Sequence, residues 1–457
     1  MANAGRNQLD FTEGSIMKKM VIFAFPIFIG NLLQSSYQIV DSLWVGNLIG
    51  ASALGAVSLA ATILFSVLSF IIGINSATLT VLSQRVGADD DEGLKRSLNA
   101  FVSVLGTLAI ILGTIGFFAA PTVLTWMGTP QDILESAVIY LRINFIGIVF
   151  LFGYNFIGTV LRAVGDSKTP LRFIMMAVGL NIFLDPLFIS GFGMGIQGAA
   201  IATVISQGSA FVFGVVYMIV VKGLPFAVPS IPEKAEFQRI MKLGLPAGLS
   251  MMAISGGQLA IMTVVTSFGS VVLSGYGAAQ RLDSLIMLPA TTLGSAITSM
   301  AGQNIGANRW DRISSIAKNA LILILIVSIT MSTAVFLLAE FLMGLFVNDE
   351  ATIQYGKTYL QIVAFFYPFL GINFVLNGIV RSSGAMIQVL ALNIISFWVL
   401  RFPLAWFFSE RIGENGIALG IGASFVISAA IAVSYYVFGG WNRIDIFKEE
   451  KKKGGAS

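Results

Sequence analysis

The 457-residue chain has no cysteine and no histidine. No disulfide, thiolate nucleophile, Cys/His zinc site or haem histidine can form from it. Any proton relay must run through carboxylates, tyrosines or lysines rather than imidazole. Charge is also scarce. Asp, Glu, Lys and Arg make up 11% of residues, against about 25% in an ordinary soluble domain. Hydrophobic residues make up 56%, and the mean hydropathy is +0.86. That balance excludes a water-soluble enzyme, a disordered regulator and a secreted disulfide scaffold. It places the chain in a bilayer, where its 48 glycines are tolerated better than in soluble helices. The net charge of +4 is too small to favour a nucleic-acid partner. No cleavable leader is expected. The first residues are polar and mixed in charge, and the apolar stretch after them outruns a signal-peptide core.

A membrane helix needs about 20 apolar residues. Twelve segments qualify, near 20–46, 53–83, 97–120, 133–161, 171–190, 196–221, 243–268, 275–304, 318–346, 356–380, 387–408 and 416–440. The basic residues test this count. With both ends inside, 22 Lys and Arg fall on the inner side and only Lys357 and Arg411 on the outer. Arg142, Arg281 and Arg401 lie within spans. This asymmetry predicts an all-α polytopic protein of the cytoplasmic (inner) membrane with both termini cytoplasmic.

The second half repeats the first. Gln84, Gly87 and Ala88 recur as Gln303, Gly306 and Ala307, 219 positions later. Tyr140 recurs as Tyr359, Arg162 as Arg381 and Gly165 as Gly384, at the same offset. Six spans per half is an even number, so the repeat is parallel, with a pseudo-two-fold axis along the membrane normal. The expected organisation is an amino-terminal lobe over 1–221, a cytoplasmic linker over 222–242 and a carboxy-terminal lobe with a basic tail over 243–457. Two such lobes suit alternating access.

Ionisable residues inside spans are costly and point to function. In the first span, Gln34, Tyr37, Gln38 and Asp41 form one polar stripe at helical spacing. Pro26 upstream removes a backbone hydrogen bond, and a hinge is expected there. In the fifth span Asn181 and Asp185 share a face, with Pro186 following, and the sixth span carries Thr203 and Ser206. Oxygens from Asp41, Asn181, Asp185 and Thr203 suit a hard monovalent cation. They equally suit a shared proton, because two close carboxylates in low dielectric cannot both ionise cheaply. A third reading is inter-helix hydrogen bonding alone.

The second half lacks a matching acidic pair. Its interior polar candidates are Gln258, Asn373 and Asn377, and Arg281 and Arg401 are its expected buried cations. Asp283 is expected to pair with a residue other than Arg281, because positions two apart point to different sides of a helix. Glu340 sits near a helix end, where it can reach water. The abundant Phe and Met mostly face lipid or neighbouring helices, and some suit an adaptable apolar cavity. Gly356-Lys357-Thr358 lacks the first glycine of a phosphate-binding loop, so pumping would be secondary. Asp89 to Glu92 read as a solvated helix start, and the carboxy-terminal lysines as a basic tail.

Together these features resemble the multidrug and toxic compound extrusion (MATE) family. The resemblance rests on Gln34, Tyr37 and Asp41 (Q-x-x-Y-x-x-x-D), on Asn181, Asp185 and Pro186 (L-N-x-x-L-D-P-x-F), on Gly198 to Thr203 (G-A-A-x-A-T), and on the repeated Q-x-x-G-A. It implies a monomeric antiporter, not an enzyme. Such a protein exports small organic, often cationic amphipathic compounds in exchange for H⁺ or Na⁺ and needs no cofactor. It places the amino-lobe cation site at Asp41, Asn181, Asp185 and Thr203, with Gln34, Tyr37, Tyr140 and Asn155 beside the substrate cavity. Gln258 and Arg281 are the further cavity candidates. Where other branches carry a carboxy-lobe carboxylate pair, this chain has Gln258 and Leu370. The alternative reading is a lipid-linked oligosaccharide flippase of a related superfamily. A polytopic membrane enzyme would need a catalytic cluster that the sequence does not show.

Overall fold

The computed structural model describes residues 9–223, 230–448 and 450. Among these the only regular structure is helical. With no water inside a bilayer, a helix satisfies every backbone group within its own segment. The first half comprises α1 (Ile16–Leu48), α2 (Ala51–Gly87), α3 (Asp91–Trp126), α4 (Gln131–Ile146), α5 (Ile148–Ala163), α6 (Lys168–Pro186) and α7 (Gly195–Val216). The second comprises α8 (Lys234–Thr266), α9 (Ser270–Ile286), α10 (Leu288–Gly306), α11 (Trp310–Gly344), α12 (Glu350–Ala364), α13 (Tyr367–Ser382), α14 (Met386–Ile394), α15 (Phe402–Ile412) and α16 (Asn415–Phe438). Short π-helical turns extend α6 and α7 and join α14 to α15.

Among the described residues, ten stretches are long and apolar enough to cross a membrane, and counting each of two bent pairs as one span brings the number to twelve. Each of the twelve segments read from the sequence falls on one of them. The bent pairs are α4 with α5, at 50°, and α12 with α13, at 53°. The first bend lies at Gly147 and the second at Phe365–Phe366, so both occupy the same place in the repeat.

The repeat reaches the backbone in detail. Left-handed conformations occur at Gly50 and Gly269, at Asp89 and Asn308, and at Gly165 and Gly384. The members of each pair stand 219 apart. Asp89 and Asn308 have φ of 54° and 56°, which short polar side chains tolerate better than others do. Packing repeats as well. Against α4 lie α2, α3 and α7; against α12 lie α9, α11 and α16. Likewise α5 packs on α2, α3 and α7, as α13 packs on α10, α11 and α16. In the first half the core is built from Phe101, Leu105, Leu141, Ile157 and Leu161, and in the second from Ile261, Val265, Leu360, Ile417 and Ile421.

Two compact units emerge. One holds Met1–Asp10 and Phe25–Met241, the other Phe11–Ala24 and Lys242–Ser457. Phe11–Ala24 thus belongs with the second unit, although it falls in the stretch read as the amino-terminal lobe. Phe11 is buried, Asn304 donates its amide to the Phe11 carbonyl at 3.0 Å, and Arg312 donates to the Glu13 and Gly14 carbonyls. The stretch read as a linker, 222–242, also differs from expectation, because α8 begins inside it at Lys234. The reason is an ion network. Glu236 is buried, accepts from Arg239 at 2.6 Å and from Arg85 at 3.3 Å, and takes the Ser97 hydroxyl at 3.1 Å. Asp90 caps α3 by accepting from the Gly93 N–H at 2.8 Å, so the acidic run is a helix start. Residues 224–229, Arg6 and the tail from 451 lie outside the described residues.

Candidate cation site

Three helices of the first unit converge on two carboxylates. α1 supplies Tyr37 and Asp41 one turn apart, α6 supplies Asn181 and Asp185 one turn apart, and α7 supplies Thr203. The approach of α7 depends on Gly198. A Cβ there would stand 2.7 Å from the backbone of Phe188, in the turn that continues α6 past Pro186. Only a glycine lets α7 come that close.

Asp41, Asn181, Asp185 and Thr203 are all buried, Asn181 and Asp185 completely. The Asn181 amide donates to Asp185 Oδ1 at 3.0 Å and, more weakly, to Thr203 Oγ1 at 3.5 Å. Thr203 donates back to the Ala199 carbonyl at 3.1 Å, and its Oγ1 lies 3.1 Å from the Tyr37 hydroxyl. Asp41 and Asp185 are neighbours in this cluster, each standing in the other's field. In this cluster three buried oxygens find no donor among the described residues: Asp41 Oδ1, Asn181 Oδ1 and Asp185 Oδ2. These are hard, partly anionic ligands of the kind that suits Na⁺ or a shared proton. The four residues read from the sequence are thus one cluster.

A family model, MatE, matches residues 26–187 and 246–407. The two matches start 220 residues apart, one in each half. The chain belongs to the MATE family. It is 52% identical to the probable multidrug resistance protein YpnP of Bacillus subtilis over 441 residues, 96% of this chain and 99% of that one. It is 29% identical to the probable multidrug resistance protein YoeA of the same organism over 438 residues, 93% of this chain and 95% of that one. Its fold matches a transporter of the MOP superfamily from Pyrococcus furiosus, with a TM-score of 0.88 and 22% identity over 96% of this chain and 99% of that one. That neighbour is described as having a binding pocket of reversed polarity that suggests a different function.

The remaining residues singled out in this MATE sequence divide into two groups. Tyr140, buried on α4, stands in the field of Asp41, Asp185 and Tyr37 and so joins the cluster. Tyr154 on α5 also neighbours Tyr37, which the sequence pattern did not reveal. Gln34 is half-buried on α1. Asn155 is half-buried on α5 and turns its amide to the Leu151 carbonyl at 2.8 Å, within its own helix. Gln258 is half-buried on α8. Arg281, expected as a buried cation, is instead exposed on α9. The helical turn that points Asp283 inward carries the position two before it outward.

The second unit holds an acid that the sequence left without a role. Asp283 accepts from Tyr359 at 3.1 Å and from Tyr367 through its other oxygen. Both tyrosines are buried and flank the bend between α12 and α13. The one available signal was the repeat, which pairs Tyr359 with Tyr140. Glu340 meets Lys357 at 2.6 Å at a helix end.

Proposed function

We propose that this MATE protein is a secondary active antiporter that exports organic, often cationic amphipathic compounds in exchange for H⁺ or Na⁺. The observation that carries the reading is the cluster of Asp41, Asp185, Asn181 and Thr203, with three buried oxygens turned toward no donor. A buried polar group without a partner costs about 1–3 kcal/mol. A proton or a sodium ion relieves that cost and the repulsion between the two carboxylates together. The relatives' multidrug-resistance names support the substrate class.

In the proposed cycle the site is anionic when it receives a cationic compound. Entry of H⁺ or Na⁺ from outside neutralises Asp41 and Asp185. α1 then bends at Pro26, which lies inside the helix and leaves one backbone acceptor free. The bend carries Tyr37 and Asp41 with it, and the compound leaves outward. Gln34, Tyr37, Tyr140, Asn155 and Gln258 line its path. Two lobes alternate, one over Phe25–Met241 and the other over Lys242–Ser457 with Phe11–Ala24. The protein acts as a monomer in the cytoplasmic membrane with both termini inside.

The test is efflux of ethidium or norfloxacin from everted vesicles under a pH gradient or a Na⁺ gradient imposed separately. A response to the pH gradient alone assigns a proton site; a response to Na⁺ alone assigns a sodium site. No response to either, with intact protein in the membrane and positive lipid scrambling, would overturn the reading in favour of a flippase.

A further inference from the structure

The second unit contains a small cavity of about 30 Å³ whose lining includes Asn373 and Asn377 of α13 together with Arg401 and Phe397. About 10–15 Å³ holds one water, so the space takes two waters or one group of that size. Arg381 also lines it, and no acidic residue does among those described.

Arg401 is 6% exposed. Its guanidinium is clamped between rings, 4.0 Å from the centre of Phe397 and 4.8 Å from that of Phe425. Its Nε donates to Ser424 at 3.5 Å, a long contact. Its two terminal nitrogens make no hydrogen bond among the described residues. The acid in its field is Asp283. Each oxygen of Asp283 accepts from a tyrosine, one from Tyr359 and one from Tyr367.

A guanidinium is a planar fork of donors that pairs with an anion face-on. Left buried without one, it keeps the desolvation cost of its charge and gains no hydrogen bonds in return. Here two rings stand against the guanidinium, the one acid in its field is engaged by two tyrosines, and a cavity of about 30 Å³ lies beside it. In the first unit's cluster the unpartnered polar atoms belong to carboxylates and an amide; beside this cavity stands an arginine.

We propose that Arg401 and the adjoining cavity form a subsite for a single negative charge of carboxylate or chloride size. The charge is either a free chloride ion or the carboxylate of a zwitterionic export substrate. The second source rests on the efflux reading above, and the first does not.

The test uses the full-length purified protein in detergent. Its melting midpoint is followed while chloride or benzoate is titrated against sulfate at equal ionic strength. A saturable rise with chloride, benzoate or both is expected for wild type, and its loss is expected in Arg401→Gln. Arg401→Lys keeps the charge without the fork. It should retain the chloride response and weaken the benzoate response. Chloride alone assigns the source to a free ion. In vesicles, Arg401→Gln should raise the half-saturating concentration of zwitterionic norfloxacin about tenfold, the size of one charge-assisted hydrogen bond, and leave that of ethidium within about twofold. No saturable shift in wild type, or an undiminished shift in Arg401→Gln, overturns the proposal. Failure to export either compound would sink the efflux reading while leaving the melting result to decide the subsite.

Discussion

The hydroxyl of Tyr37 lies 3.1 Å from that of Thr203, a contact between α1 and α7 across 166 positions of sequence. It ties the helix that carries Asp41 to the helix that completes the oxygen cluster. Removing either partner separates two roles. Tyr37→Phe loses the tie but keeps every candidate ligand; Thr203→Ala loses a ligand as well. One net hydrogen bond is worth about 1 kcal/mol. Tyr37→Phe should therefore raise the half-saturating concentration of the coupling ion by about fivefold, and Thr203→Ala by more. Equal effects from the two variants would contradict a ligand role for Thr203.

Asp41→Asn fixes the first carboxylate in a neutral form of the same shape. Efflux driven by either gradient should stop, while the protein still reaches the membrane in normal amount. Asp185→Asn should do the same. Wild-type efflux by either variant, scored beside an immunoblot of the membrane fraction, would remove the carboxylate pair from the mechanism.

Pro26→Ala restores the hydrogen bond that proline denies α1. If α1 bends there during turnover, the variant should bind ethidium as wild type does and export it several-fold more slowly. Fluorescence anisotropy reads the binding, and vesicle efflux the rate.

Gly198→Val tests the close approach of α7. Its Cβ would press on the Phe188 backbone, where nothing but main chain stands to yield. Overpacking of this kind costs about 1–3 kcal/mol. The melting midpoint in detergent should fall, and the response to the coupling ion should fall with it, because Thr203 rides on the displaced helix. Unchanged melting would mean that the contact is not tight in the folded protein.

Asp349 caps α12 from the loop before it. The Thr352 hydroxyl, at 2.7 Å, and the Thr352 N–H, at 2.9 Å, hold its carboxyl below the ordinary carboxylate range. A depressed group stabilises the fold above its unfolded pKa and loses that contribution as pH falls through the folded one. Wild type should therefore lose stability as pH falls from about 4 downward, and Asp349→Ala should lose less over the same interval. Parallel melting curves for the two proteins would count against the cap.

Most of the architecture was legible because membrane helices declare themselves by length and composition, and because the repeat supplies an internal check. Asp41, Asn181, Asp185 and Thr203 were legible for a similar reason. A polar stripe on an apolar helix needs no partner to be noticed. Arg281 and Asp283 mark where this reasoning stops. Both are charged residues in one span, two positions apart, and only the rotation of α9 tells which faces inward. That rotation is fixed by tertiary contacts with Tyr359 and Tyr367, more than 70 residues away. The start of α8 was masked by composition. Glu236 and Arg239 read as linker charge, yet they are buried because Arg85 and Ser97 on other helices receive them.

The docking of Phe11 sets an order on biogenesis. Its partners Gln303 and Asn304 lie 292 and 293 residues further along, so during synthesis the segment leading into the first helix emerges long before its berth on α10 exists. Contacts of such long range are the slow ones in any folding reaction. The amino-terminal turn therefore spends most of translation undocked, and its capture closes the second unit late.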